Sequence, residues 1–240
     1  MATSAPVAHT IMFSDLQHAK QGQHIQVDAE EAHHAAKVKR VRPGERLGLL
    51  DGCGHTATGI LIAVTGSKAR PGLDIEIEQI NTAEPINPNL EVYTALPKGD
   101  HLDRMIDQLT QLGVSTFRPL LCERSQRKPE TVRTEKLTRI ASEAMKQCRR
   151  PWALKIEDPI PFHKAVGDPD AVIADATGDA WDRNIDSAPR TVILIGPEGG
   201  WSDQERAEFA DSPARIRRFG PFVLRIEAAA AASSAMVMGI

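Results

Sequence analysis

The stretch that most constrains this chain is Thr191–Glu205, TVILIGPEGGWSDQE, where a β-branched apolar run stops at a Gly-Pro-Glu-Gly-Gly loop. Val192 to Ile195 are too few and too branched for a helix, so they predict a buried strand. Ser202 with Glu205 three residues on forms a capping box, which predicts a helix start. Between the two, Gly196, Gly199 and Gly200 lack Cβ atoms, so the backbone can take positive φ and approach a flat ligand, while Pro197 stiffens the turn.

The loop lacks a Gly-Lys-Ser/Thr ending, and Glu198 puts negative charge where a phosphate cradle excludes it. A triphosphate is disfavoured, and a cationic or neutral ligand held by backbone groups suits the loop better. An ordinary Gly-rich strand-to-helix turn is the competing reading of these residues alone. A second segment, Phe219 to Ala232 (FGPFVLRIEAAAAA), repeats the pattern. A short strand over Arg215 to Phe219 leads to a Gly-Pro turn, and Leu224-Arg225-Ile226-Glu227 enters an Ala-rich helix.

The chain divides into two regions in sequence. Up to about residue 80, alternating segments at His24 to Val27, Arg46 to Leu50, Gly59 to Val64 and Leu73 to Ile77 predict short strands separated by Gly-rich or polar breaks. Asn81 to Asn89 (NTAEPINPN) reads as a linker. From residue 90 to 240 strands and helices alternate, which predicts an α/β domain with a largely parallel sheet. Its expected strands are Leu90 to Leu96, Ser115 to Leu121, Ala171 to Ala174 and Val192 to Ile195. Asp100 is expected to cap a helix with Leu102, Met105, Ile106 and Leu109 inward, ending at Gly113. The Gly52-x-Gly54 pair lies inside a hairpin and reads as a turn.

Charge is unevenly distributed. Arg118 to Lys155 holds eleven Lys or Arg against four Glu, a local net of plus seven in a chain whose formal net charge is minus three. A second cluster comprises Lys37, Lys39, Arg40, Arg42 and Arg46 against Glu45. Such asymmetry is the footprint of a surface for phosphate backbones, with a solvated helix face as the plainer alternative. Leu137, Ile140, Ala141, Ala144, Met145 and Cys148 follow helical spacing. Arg139, Lys146 and Arg150 fall on the opposite side, where they would face RNA. Ten aromatic residues are too few for stacking platforms, so shape and backbone contacts should dominate.

Three isolated cysteines make neither a disulfide framework nor a C-x-x-C metal site, which points to a reducing cytoplasm. The eight histidines show no metal spacing, so no metal is expected. No apolar run reaches the length of a membrane span, and no signal-peptide pattern is seen.

The two Gly-containing loops together resemble the cofactor loops of the SPOUT class of S-adenosylmethionine-dependent RNA methyltransferases. More narrowly they resemble the ribosomal RNA small subunit methyltransferase E family, which methylates N3 of one uridine in 16S rRNA. His33-His34 through Gly44-Glu45 (HHAAKVKRVRPGE) is similar to the family's N-terminal signature. Leu96 to Asp100 and Gln111 to Val114 match the ends of its first C-terminal helix, and Glu123-Arg124-Ser125 and Glu143 to Arg149 match its basic middle. The chain departs from the family at Ile226 and Ala228, where Thr is usual, and at Gln111 and Lys146, where Glu is usual.

The resemblance implies an N-terminal PUA-like β-barrel that helps hold RNA and a C-terminal α/β domain tied in a trefoil knot around S-adenosyl-L-methionine. It implies a homodimer with 16S rRNA or the small ribosomal subunit as partner. The cofactor would lie against Ala174, Asp175, Ala176 and Thr177, against Ile195, Gly196, Pro197, Glu198, Gly199, Gly200 and Trp201, and against Phe219, Gly220, Pro221, Leu224, Arg225, Ile226 and Glu227. Arg225 is the candidate for stabilising a uracil anion. Glu198 and Glu227 are candidate bases or neighbours of the sulfonium, against the alternative of a salt bridge or a helix N-terminal charge. Arg124, Arg127, Lys128, Arg149 and Arg150 would position the rRNA backbone, with Arg40 and Arg42 helping from the barrel. Two other functions fit the residues: a SPOUT enzyme acting on a ribose 2′-hydroxyl or another base, and a non-catalytic rRNA-binding assembly factor.

Overall fold

The computed structural model describes residues 7, 9–27, 29–67 and 70–240. Residues 1–6, which bear on the signal-peptide reading, lie outside the described residues. Two compact units emerge, one of residues 1–85 with 145–152 and the other of residues 86–144 with 153–240. The division falls after Pro85, inside the Pro- and Asn-containing stretch.

The first unit is a five-stranded sheet in the order β1-β3-β4-β5-β2. Its strands are β1 (His9–Met12), β2 (His24–Val27), β3 (Arg46–Leu50), β4 (His55–Gly66) and β5 (Pro71–Thr82). β1 runs parallel to β3 and the other pairs are antiparallel. Alternation sets the inner face, with Ile25 and Val27 of β2 joining Leu47, Leu49, Leu61, Leu73, Ile75 and Ile77 in the core. Register shifts in β4 at Thr58/Gly59 and Leu61/Ala63 mark bulges, which bend the long β4–β5 ribbon. Gly59 lies where a Cβ would come within 2.8 Å of the Glu76 carbonyl, so the bend needs glycine. The Asp51–Gly54 turn is closed by Asp51 Oδ1, which accepts from the Cys53 and His55 N–H groups at 2.7 and 3.0 Å.

Helix α1 (Ala29–His33) continues into a π-helical segment, His34–Lys39, which ends at Arg40 with φ of 55°. The wide turn buries Ala35 and Val41 and leaves Lys37, Lys39, Arg40 and Arg42 exposed.

The second unit is a parallel sheet in the order β12-β10-β11-β6-β7-β8, with β9 also paired to β7. Its strands are β6 (Asn89–Thr94), β7 (Thr116–Leu121), β8 (Lys155–Ile156), β9 (Ile160–Pro161), β10 (Ala171–Ala180), β11 (Arg190–Ile195) and β12 (Arg215–Arg218). Its helices are α2 (His101–Gln111), α3 (Thr134–Cys148), α4 (Phe162–Ala165), α5 (Arg183–Asp186), α6 (Asp203–Ala210) and α7 (Ile226–Met238).

Period-two alternation divides β11 between two cores. Ile193 and Ile195 pack with Leu102, Met105 and Ile106 of α2 and with Ile226, Ala230 and Val237 of α7. Val192 and Leu194 pack with Phe162 and Ala165 of α4 and with Trp201 and Phe209. Burial on both faces explains why β11 reads as a continuous apolar run. Among the described residues no helix is long and apolar enough to cross a membrane.

The basic face expected of α3 needs correction. Leu137, Ala141, Ala144 and Met145 are buried as the spacing predicts, and Arg139 is exposed. Lys146, however, is only 8 % exposed, and its Nζ lies 2.7 Å from Glu31 Oε1. Arg150 is 7 % exposed, and burial pushes its guanidinium down to about 10. The helix ends at Cys148, and Arg149 turns left-handed with φ of 59°. Helical projection therefore stops before Arg150, which folds inward while Arg149 stays exposed.

Candidate functional site

Three segments meet at one edge of the sheet, the kind of edge at which open parallel sheets hold ligands: a bulged loop inside β10 and the loops that leave the C-terminal ends of its neighbours β11 and β12. Each loop is built differently. β10 pairs regularly with β12 through Ala174, shifts register, and resumes at Asp179, so residues 175–178 bulge from the ladder. Asp175 shapes the bulge, since its Oδ1 accepts from Thr177 N and Thr177 Oγ1 at 2.9 and 2.6 Å. Gly178 lies so close to β12 that a Cβ would be 2.7 Å from Ile216 backbone atoms.

The β11 loop is anchored by Trp201, 3 % exposed, whose ring centroid lies 5.0 Å from that of Phe162 and 6.1 Å from that of Phe209. A Cβ at Gly196 would come within 2.7 Å of the Trp201 ring, so the first glycine is needed for close approach to that anchor. Gly200 supplies the one positive φ of the loop, 71°, and Gly200 N donates to Pro197 O at 2.8 Å. The capping box is complete: Ser202 Oγ accepts from Glu205 N, and Glu205 Oε2 accepts from Ser202 N. The third loop climbs from Phe219, stacked on Trp181 at 5.4 Å, through exposed Pro221 to Arg225 and into α7.

The three loops enclose one cleft of about 500 Å³, within the range of small-ligand pockets. Its walls include Ala174, Asp175, Ala176 and Thr177, then Ile195, Gly196, Pro197, Glu198, Gly200 and Trp201, then Phe219, Gly220, Leu224, Arg225 and Ile226. Three expected residues do not line it. Gly199 faces Arg124, Pro221 projects outward, and Glu227 lies 3.2 Å from His101 Nδ1 at the start of α2. Glu227 therefore stands as a first-turn helix charge with a histidine partner and not as a carboxylate of the cleft.

Sequence reasoning missed Arg206, Arg218, Phe222, Val223 and Ala229, which also line the cleft. Arg206 could have been found from α6 periodicity: it sits one turn into the capped helix, 3.5 Å from Asp175 Oδ2. Phe222 and Val223, 80 % and 87 % exposed, carried no periodic signal. Glu198, Arg218 and Arg225 are exposed and have no ion-pair partner among the described residues. Both signs of charge thus meet an apolar wall of Ile195, Leu224, Ile226 and Ala229. That donor set suits a ligand with a flat apolar part and a cationic or zwitterionic part. Among the described residues no group of three or more His, Cys, Asp or Glu could hold a metal ion.

The expected rRNA-contacting residues are scattered. Arg40, Arg42 and Arg149 are exposed in the first unit and Lys128 is exposed in the second. Arg124 and Arg127 instead spend hydrogen bonds on main-chain carbonyls of neighbouring loops.

A family model for an RNA methyltransferase domain matches residues 84–238, and one for an RNA methyltransferase PUA domain matches residues 27–70. A ribosomal RNA small subunit methyltransferase E from Mycobacterium bovis is 30 % identical over 219 residues, covering 85 % of this chain and 82 % of the relative. The protein of that name from Bacillus subtilis is 27 % identical over 220 residues, covering 85 % of each. The fold is shared with the ribosomal RNA small subunit methyltransferase E from Neisseria gonorrhoeae solved bound to S-adenosyl methionine, with TM-score 0.81, 22 % identity and coverage of 96 % of this chain and 97 % of the other. With a matching domain model over most of its length and a relative this similar, the chain belongs to the ribosomal RNA small subunit methyltransferase E family.

Proposed function

We propose that this chain transfers the methyl group of S-adenosylmethionine to N3 of a uridine in 16S rRNA, in the cytoplasm. The observation that carries the reading is the convergence of the β10, β11 and β12 loops on one cleft whose walls are backbone groups, aliphatic side chains and a few unmatched charges. The cleft fits the cofactor on its own chemistry. Ile195, Leu224, Ile226 and Ala229 offer apolar contact to an adenine, the Gly-rich loops offer main-chain donors and acceptors, and Glu198 offers negative charge to a cation. When bound, the cofactor supplies an already activated methyl group.

The protein's task is then alignment, exclusion of water and management of one proton. Uracil N3 carries an imide proton that must leave before or during transfer. In this reading Glu198, exposed at the cleft, takes it, a role worth ~10²–10⁴-fold in rate. Arg225, which also lines the cleft and has no carboxylate partner among the described residues, stabilises negative charge on the uracil carbonyl oxygens in the same reading. Its main chain begins α7, where Arg225 O accepts from Ala229 N at 2.8 Å, so the side chain starts from a rigid base.

For the rRNA backbone, Lys37, Lys39, Arg40, Arg42 and Arg149 serve in the first unit and Lys128 in the second. A homodimer and a chain knotted around the cofactor belong to the same reading. Sedimentation should give the mass of two copies. Calorimetric titration with S-adenosylmethionine should show one site per chain, and a folded protein that takes up none would overturn the reading.

A further inference from the structure

Two arginines that sequence reasoning assigned to RNA lie in the loop leaving β7, and each reaches back to another loop of the second unit. Arg124 Nη1 donates to the carbonyl oxygens of Gly199 and Trp201, at 3.4 and 3.1 Å. Arg127 Nη1 donates to those of Pro97 and Gly99, at 3.2 and 3.3 Å. The Gly199 and Trp201 carbonyls belong to the Gly-Pro-Glu-Gly-Gly loop after β11, and the Pro97 and Gly99 carbonyls to the loop after β6.

A second link ties the same segments. Glu205 is 5 % exposed, and while its Oε2 accepts from Ser202 N at 2.8 Å, its Oε1 accepts from Glu123 N at 2.9 Å. One carboxylate thus caps α6 and holds the neighbour of Arg124. A third contact is steric: a Cβ at Gly199 would lie 3.4 Å from the Arg124 Cβ, so the loop rests against the arginine stem.

A loop with three glycines in five residues is entropically expensive to order, and its own main chain supplies only the Gly200-to-Pro197 bond among those between its residues. The Arg124 guanidinium adds two charge-assisted bonds to that loop, the closer one to Trp201 O.

We propose that Arg124 is a positioning residue for the cofactor cleft, setting the Gly-Pro-Glu-Gly-Gly loop through Gly199 and Trp201, with Glu205 as the second anchor of the same brace. The proposal rests on reading the cleft as the S-adenosylmethionine site. Both bonds leave the single Nη1, so lysine at this position, with its charge kept on a compact ammonium of different reach, should recover part of the contact.

The test is titration of the wild type, Arg124→Ala, Arg124→Lys and Glu205→Gln with S-adenosylmethionine, alongside 16S rRNA binding over a range of salt and thermal melting of each free protein. Cofactor affinity should fall about ten- to a hundredfold in Arg124→Ala and less in Arg124→Lys. It should fall in Glu205→Gln too, with the KM for cofactor rising more than kcat falls, while rRNA affinity and its salt slope change less than twofold. Unchanged cofactor affinity in Arg124→Ala, with weaker rRNA binding and a salt slope reduced by about one, would overturn the brace and make Arg124 a phosphate ligand. A wild type that binds no cofactor would overturn the reading of the cleft and the brace with it. If Arg124→Ala does not fold, an unaltered cofactor affinity in a folded Glu205→Gln would overturn the brace.

Discussion

The two ends of the parallel sheet in the second unit use charge in opposite ways. At the N-terminal ends of β6, β10 and β11, Arg190 is saturated. Its Nε donates to Glu91 at 2.8 Å and its Nη1 and Nη2 engage Asp168 and Asp170 at 2.9 to 3.0 Å. Glu91 in turn accepts from the Tyr93 hydroxyl at 2.6 Å. At the C-terminal ends, Arg218, Arg225 and Glu198 line one cleft without pairing among the described residues. Charges tied to one another through Arg190 stabilise one arrangement of strands. Charges left unanswered beside an apolar wall are available to a ligand.

Substitutions at the two ends should therefore separate function from stability. The largest effect is expected for Arg225→Ala, which should lower methyl transfer by ~10²–10³-fold with cofactor affinity and melting temperature nearly unchanged. Wild-type turnover in that variant would remove Arg225 from the chemistry. Gly196→Val should come next: its side chain meets the Trp201 ring, and calorimetry should show cofactor affinity reduced by at least an order of magnitude, with a stability loss of about 1–3 kcal/mol from overpacking. Arg190→Ala at the other end should reverse the pattern, lowering stability by about 1–3 kcal/mol in denaturant titration. Activity per folded molecule should stay within about twofold, and a selective loss of turnover would blur the contrast between the ends.

Acid should act on the structural charges. Burial pushes the Asp168 carboxyl up, but bonds from Arg190 and the Asp170 N–H outweigh it and hold the group below its usual range. Burial likewise opposes a net lowering of Asp186, produced by Arg217, the Asp182 N–H and Arg215. A depressed folded value contributes stability that is full above the unfolded aspartate range, near pH 4, and is lost as pH falls through the lower folded values. Arg190→Ala should therefore show a smaller acid-induced drop in melting temperature than the wild type. The smallest effect is expected of Glu227→Gln: with its carboxylate beside His101 and off the cleft wall, turnover should change by less than about threefold.

Much of this could be read from local pattern. β2 and β3 start and end where alternation places them, and the Ser202–Glu205 box forms both of its bonds. Leu102, Met105, Ile106 and Leu109 are inward as their spacing requires. Such features depend on neighbours a few residues away. What pattern could not supply depends on distant partners. Lys146 is drawn in by Glu31, 115 positions away in sequence, and Arg124 is claimed by carbonyls 75 and 77 positions on. Charge clustering sees neither partner, because carboxylates and carbonyls that folding brings near are remote in sequence. The bulge in β10 is equally hidden, since Ala174-Asp175-Ala176-Thr177 keeps the apolar–polar alternation of a regular strand.

The most direct test of the account is the identity of the methylated product. The protein should be incubated with methyl-labelled S-adenosylmethionine and small-subunit rRNA, and the RNA digested to nucleosides for chromatography and mass spectrometry. Label should appear in 3-methyluridine, at a rate ~10²–10³-fold lower in Arg225→Ala. Label in a 2′-O-methyl nucleoside or another base, or none at all from a folded protein, would contradict the account.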